Sequence, residues 1–216
     1  MPASSRSIRA TLQYLAAEDS GAAVYHASQA GGVAADHDGS YDMREVEIRD
    51  GRGETFDLDS AGFMLADHAS SVTDWHDDAV LSQIYEAEAK ALVRRITGAR
   101  RIEVFDHTRR AASDSLRRNQ VMREPSSVIH NDYTPWSAER RLRDILPGEA
   151  ETLLSRRFAI VNIWRSIAGR VETNPLAFCD SRTLADGDLV EVTRQAKDRI
   201  GQIQMARFTP DHDWVY

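Results

Sequence analysis

His130 and Asp132 stand two residues apart in Ser127-Val128-Ile129-His130-Asn131-Asp132-Tyr133-Thr134. On an extended backbone side chains alternate faces, so an imidazole and a carboxylate at this spacing point the same way. Such a pair supplies two of the three ligands of a 2-His-1-carboxylate facial triad, which holds Fe(II) and leaves positions open for a co-substrate and dioxygen. The triad needs a second His as third ligand. His212, in Thr209-Pro210-Asp211-His212-Asp213-Trp214, lies far enough downstream on spacing alone, although the Pro-Asp turn before it argues for a loop.

A second H-x-D, His76-Asp77-Asp78, sits where a helix is expected to begin. Acids there serve the helix dipole, and positions i and i+2 of a helix do not share a face. His26, His37, His68 and His107 fall in loop-like or turn-like sequence. Other chemistries find no support: there is no G-x-G-x-x-G after a strand, no P-loop, no H-E-x-x-H and no G-x-S-x-G. One cysteine, Cys179, excludes an internal disulfide and a thiolate zinc site, and fits a reducing, cytoplasmic setting.

The elements that position these groups follow from local pattern. Residues 1–43 are rich in Ala, Gly, Ser and Asp and are expected to be partly irregular after a short element at Ala10 to Leu15. Arg44 to Arg49 alternates as a strand, and a second strand is expected at Thr55 to Leu58. Ala79 to Thr97 has helical periodicity, with Val80, Ile84, Ala87, Ala91 and Leu92 on one face and Gly98 as C-cap. Arg101 to Phe105 and Val128 to Tyr133 read as strands, and Trp136 to Ser155 as a helix broken by Pro147-Gly148. Phe158 to Trp164 is almost wholly apolar and reads as a strand buried on both faces. Short strands are expected at Pro175 to Cys179, Val190 to Val192, Gln202 to Phe208 and Trp214 to Tyr216. With 216 residues, 42% hydrophobic, and no repeat or linker, a single α+β domain over 1–216 is the economical reading.

The net charge of −7 argues against a nucleic-acid partner, and no run approaches the roughly 18 apolar residues of a membrane span. Short basic runs such as Arg109-Arg110 read as solvated faces. A small molecule is the expected partner.

Several stretches in order resemble one family, the hydroxylase/desaturases that include AsaB-like enzymes and CmcJ-like cephalosporin methoxylation proteins. They are Gly62-Phe63-Met64-Leu65, Thr97-Gly98-Ala99, Val104-Phe105-Asp106-His107, His130-Asn131-Asp132-Tyr133-Thr134, Asn162-Ile163-Trp164-Arg165, Pro175 to Asp180 and His212 to Tyr216. The resemblance implies a double-stranded β-helix, a jelly-roll-like core with flanking helices. It also implies Fe(II) and 2-oxoglutarate as cofactors, with a secondary metabolite hydroxylated or desaturated. His130 and Asp132 match the first two iron ligands, while His212 matches a position before the distal His. In that family the distal His and the Arg anchoring 2-oxoglutarate follow the segment at which this sequence stops. The resemblance therefore implies a C-terminally incomplete member, or a catalytically incomplete partner or scaffold in a methoxylation or tailoring complex. A cupin-type metal protein without 2-oxoglutarate is a further reading. Arg165, which closes the apolar run, is expected to meet an anionic group, and Tyr133 and Thr134 to line the pocket.

Overall fold

A computed structural model describes residues 6–31, 33–197 and 199–216; residues 1–5 of the N-terminal region expected to be partly irregular lie outside it. Two sheets organise the chain. The first has the order β1 (Ser7–Leu15), β4 (Tyr41–Arg49), β9 (Trp214–Val215), β6 (Phe178–Cys179). The second has β3 (Asp36–His37), β2 (Val24–His26), β7 (Leu189–Ala196), β8 (Arg199–Ala206), β5 (His130–Asn131).

β1 is longer than the expected short element because nine residues pair antiparallel with β4, from Ser7 opposite Arg49 to Leu15 opposite Tyr41. Alternation drives Tyr14, Ile48 and the inward residues of both sheets together: Tyr14, Ile48, Ala206 and Trp214 form one buried cluster. A second cluster joins Leu15, Tyr25, Val128, Val192, Ile203 and Met205. β9 lies between β4 and β6, so Trp214-Val215 is an interior strand with both residues buried. The Trp214 indole N–H donates to the Tyr14 hydroxyl at 2.8 Å, across 200 positions of sequence. The ends of β4 and β9 are further tied by Arg49, whose fork donates to both Asp213 oxygens at 2.8 and 2.7 Å.

The expected helix forms as α1 (Asp78–Val80), a π turn at Leu81–Tyr85 and α2 (Glu86–Thr97). Asp77 caps its start, accepting from the Ala79 amide at 2.8 Å, and Gly98 ends it at φ 68°. α3 (Asp114–Asn119) follows, then α4 (Pro135–Ile145) and α5 (Ala150–Leu154), with Pro147-Gly148 separating the last two as expected.

Three expected strands do not form. Thr55 to Leu58 gives way to a turn because the Asp57 carboxylate accepts from the amides of Asp59 and Ser60. Arg101 to Phe105 is extended but unpaired among the described residues, and Arg101 instead reaches Glu103 and Glu149. Phe158 to Trp164 is likewise extended without a partner strand, and Phe158, Val161, Ile163 and Trp164 are exposed. An apolar run becomes a buried strand only if other strands cover it, and none of the described ones does.

Burial pushes the Tyr14 hydroxyl up to about 12, against the opposing hydrogen bond from Trp214. The folded state thus keeps this proton after an unfolded tyrosine, at about 10, has lost it. Stability should be undiminished by Tyr14 below pH 10 and should fall as pH rises from 10 to 12, read from urea midpoints. Trp214→Phe strands the Tyr14 hydroxyl and should cost about 1–3 kcal/mol at neutral pH.

Candidate functional site

The segment carrying His130 and Asp132 is pinned from both sheets. Val128 bridges Gln13 of β1 in parallel, and the Ile129 amide donates to the Gln13 carbonyl at 3.1 Å. Two residues on, His130 pairs with Met205 and Asn131 with Gln204 of β8. The chain then turns, because Thr134 caps α4 and Pro135 takes its first position. Thr134 is 1% exposed, and its hydroxyl accepts from the Ser137 amide at 3.1 Å and donates to Gln202 Oε1 at 3.0 Å. Regular pairing thus ends at Asn131, and Asp132 stands at the bend between strand and helix.

His130 Nδ1 lies 2.8 Å from the Val128 carbonyl oxygen. A carbonyl only accepts, so Nδ1 carries the proton and the lone pair of a neutral ring sits on Nε2. That nitrogen is 3.4 Å from Asp132 Oδ1. The other carboxylate oxygen, Oδ2, accepts from the Asn162 side-chain amide at 2.5 Å. The pair therefore has the features of metal ligands: a tautomer fixed by a backbone carbonyl, a carboxylate oriented by an amide, and one nitrogen and one oxygen side by side. Ligand bonds of about 2.1 Å meeting at roughly 90–110° put neighbouring donor atoms about 3.0–3.4 Å apart, so the two groups fit adjacent positions on one ion.

Without an ion they form an ion pair. Burial opposes charge on the ring, but the hydrogen bond and charge of Asp132 outweigh it and hold His130 above its ordinary value. The His130 hydrogen bond takes Asp132 down to about 2, with help from Asn162 and against burial.

Asp132 lines two hollows. The larger, about 340 Å³, also touches Tyr133, Thr134, Ile160, Asn162 and Gln204. The smaller, about 130 Å³, is the one that His130 reaches. Tyr133 and Thr134 are therefore near the pair, although the Thr134 hydroxyl already serves the helix cap. Arg165 is not brought to the pair. Its Nη2 donates to the His68 carbonyl at 2.8 Å and meets His68 Nδ1 at 2.6 Å, while the guanidinium lies over the rings of Trp75 and Tyr85. His212 is also elsewhere: its side chain is buried, stacks on Tyr14 and reaches Asp188 at 3.2 Å. Among the described residues no three His, Cys, Asp or Glu side chains converge as a metal site. Burial pushes the Cys179 thiol up to about 11, which removes it as a thiolate nucleophile. Asn162 acts on the site through Asp132, a role its place in an apolar run gave no sign of.

Residues 12–216 match the family model described as "Oxidoreductase/YMDC permease-like domain". The chain belongs to that family. Its relatives bear the hydroxylase/desaturase names that the sequence motifs resemble. The hydroxylase/desaturase CTB9 of Cercospora beticola is 34% identical over 167 residues, 69% of this chain and 50% of the relative. The Fe(II)/2-oxoglutarate-dependent dioxygenase nvfI of Aspergillus novofumigatus is 30% identical over 183 residues, 80% of this chain and 64% of the relative. The chain thus spans about half to two thirds of the curated relatives it matches. Among solved structures, the iron and alpha-ketoglutarate-dependent endoperoxidase NvfI superposes with a TM-score of 0.76 over 97% of this chain and 78% of that one, at 22% identity. That likeness establishes the jelly-roll-like, mixed α+β fold of this family member. No helix among its described residues is long and apolar enough to cross a membrane.

The ion pair sets a test of the site without metal. His130 gains stability from Asp132 fully below about pH 6.5, lost as pH rises through its raised value; Asp132 gains it above about 3.8, lost as pH falls towards 2. Both contributions are present between roughly pH 4 and 6.5. In an NMR titration, Asp132→Asn should move His130 from above its ordinary value to below it, because burial and the Arg110 charge then outweigh the hydrogen bond to the Val128 carbonyl. An unmoved His130 would mean that the two side chains do not interact.

Proposed function

We propose that this family member is an oxidoreductase of the Fe(II)/2-oxoglutarate-dependent type, acting on a small molecule by hydroxylation or desaturation. The observation that carries the reading is the His130–Asp132 pair, with Nδ1 tied to a backbone carbonyl and Asp132 oriented by Asn162. His130 Nε2 and Asp132 Oδ1 would hold the ion, and the third position is left to a group outside the described residues. Bound there, Fe(II) would activate dioxygen, the oxidant, with 2-oxoglutarate as the co-reductant, which is the chemistry that oxidising an unactivated C–H bond requires.

The chain's own residues do the rest. Val128 and Asn162 keep the two ligands in their productive tautomer and orientation, so little reorganisation accompanies metal binding. Ile160 gives the larger hollow an apolar wall, and Asn131 and Gln204 give it polar groups that can orient a substrate. The Asn131 side chain is itself fixed, donating to the Tyr133 carbonyl at 3.0 Å and to Gln204 Oε1 at 2.9 Å.

A second reading, a non-catalytic partner of the same fold working beside a companion tailoring enzyme, draws on the lack of a third ligand among the described residues. Anaerobic addition of Fe(II) and 2-oxoglutarate separates the two. The oxygenase reading predicts a charge-transfer band of the chelated complex that is abolished by His130→Ala or Asp132→Ala. Asn162→Ala should weaken metal binding by about 10–100-fold. A protein that shows no band, yet restores turnover to a co-purifying enzyme, would support the partner reading instead.

A further inference from the structure

The smaller hollow beside His130 is lined by three arginines, Arg110, Arg123 and Arg194. They arrive from separate parts of the sequence. Arg110 and Arg123 sit opposite one another on two extended segments: Arg123 N donates to the Arg109 carbonyl and Ala111 N to the Arg123 carbonyl, each at 2.9 Å. Arg194 comes from β7, where it pairs with Tyr25 of β2. Extended backbone sends consecutive side chains to opposite faces. Arg109 accordingly turns away, to Asp78 at 2.6 Å and the Trp75 carbonyl at 3.2 Å, while Arg110 faces the hollow.

Unlike Arg109, none of the three is in an ion pair among the described residues. Arg110 spends one donor on the Glu124 carbonyl at 2.7 Å and has four more. The carboxylates that share the lining already have hydrogen-bond partners, although the charge of Asp132 still acts on Arg110 and Arg194 and that of Glu124 on Arg110. Glu124 Oε1 accepts from the Ala35 amide at 2.7 Å, Asp36 Oδ1 from the His37 amide at 2.9 Å, and Asp132 faces His130 and Asn162. Loss of solvent and then the charge of Arg123 push Arg110 below its ordinary range; loss of solvent and then Arg199 and Arg123 do the same to Arg194. Arg123 repels both Arg110 and Arg194, a condition that a bound anion relieves. Guanidinium forks match a carboxylate in geometry as well as in charge.

We propose that Arg110, Arg123 and Arg194 form a carboxylate-binding subsite next to the His130–Asp132 pair, holding one end of a small molecule whose reacting part lies towards that pair. This rests on the oxidoreductase reading for its purpose but not for its test. The carboxylate is assigned to the molecule being oxidised, and binding tests this against the 2-oxo acid used with it. A cation held by His130 and Asp132 would consume the Asp132 charge and leave the subsite more positive still.

Calorimetric titration with benzoate, and separately with 2-oxoglutarate, is the experiment, on the purified protein with and without added Mn(II). Benzoate should bind without metal. Arg110→Gln, Arg123→Gln and Arg194→Gln should each weaken it by about tenfold, and Arg194→Lys by less, since the charge stays but the fork is lost. His130→Ala should remove only the part of binding that Mn(II) adds, so failure of the metal site is told apart from failure of the subsite. Benzoate binding supports assignment of the subsite to the oxidised molecule; binding of 2-oxoglutarate alone would overturn it. Thermal unfolding of each variant checks that it is folded. Folded glutamine variants that bind both probes as tightly as the parent, or a parent that binds neither, would overturn the proposal.

Discussion

Residues 128–131 are gripped from two directions, and the site exists because of it. Val128 and Ile129 are fastened to β1 of one sheet, while His130 and Asn131 are fastened to β8 of the other, with the Ala206 amide donating back to the Ile129 carbonyl at 3.4 Å. A strand shared between two sheets cannot slip by one residue without turning every side chain to the wrong face. The same backbone supplies the carbonyl that fixes the His130 tautomer, so docking the strand and preparing the ligand are one event. Thr134 then ends the strand by starting α4, which leaves Asp132 at the bend and free to face His130.

Behind this segment lies an aromatic cluster built on the first sheet. Tyr14, Phe208, His212 and Trp214 lie with ring centroids 5.3 to 6.4 Å apart, and the Trp214–Tyr14 hydrogen bond satisfies both polar atoms. His212 belongs to that cluster by position and by its contact with Asp188, which explains why a histidine at suitable sequence distance is not a ligand. Its side chain is buried in the segment leading into β9, against the rings of Tyr14 and Trp214.

Much of this was legible in the sequence where periodicity and capping agree. The strand at Arg44 to Arg49 and the helix ending at Gly98 follow from local rules, whereas His130 and Asp132 face each other across a bend at Asp132, beyond the strand whose alternation suggested their pairing. What was illegible depended on convergence. The apolar run at Phe158 to Trp164 reads as a buried strand because composition says what a segment prefers, not whether a neighbour will cover it. Asn162, inside that run, becomes a partner of Asp132 only once the chain has folded back over 30 residues. Arg110 reads as half of a solvated basic pair, yet Arg123 and Arg194 are brought beside it by β-pairing that leaves no local trace. Arg165 reads as the natural anion contact by its place in a motif, but Trp75, Tyr85 and His68 surround it.

The central claim is that His130 Nε2 and Asp132 together bind a metal ion. X-ray absorption of the Fe(II)-loaded protein, compared with the His130→Ala variant, addresses it most directly. An imidazole scattering shell present in the parent and lost in the variant is the predicted result. An identical iron environment in both proteins would show that the metal binds elsewhere, and would contradict the claim.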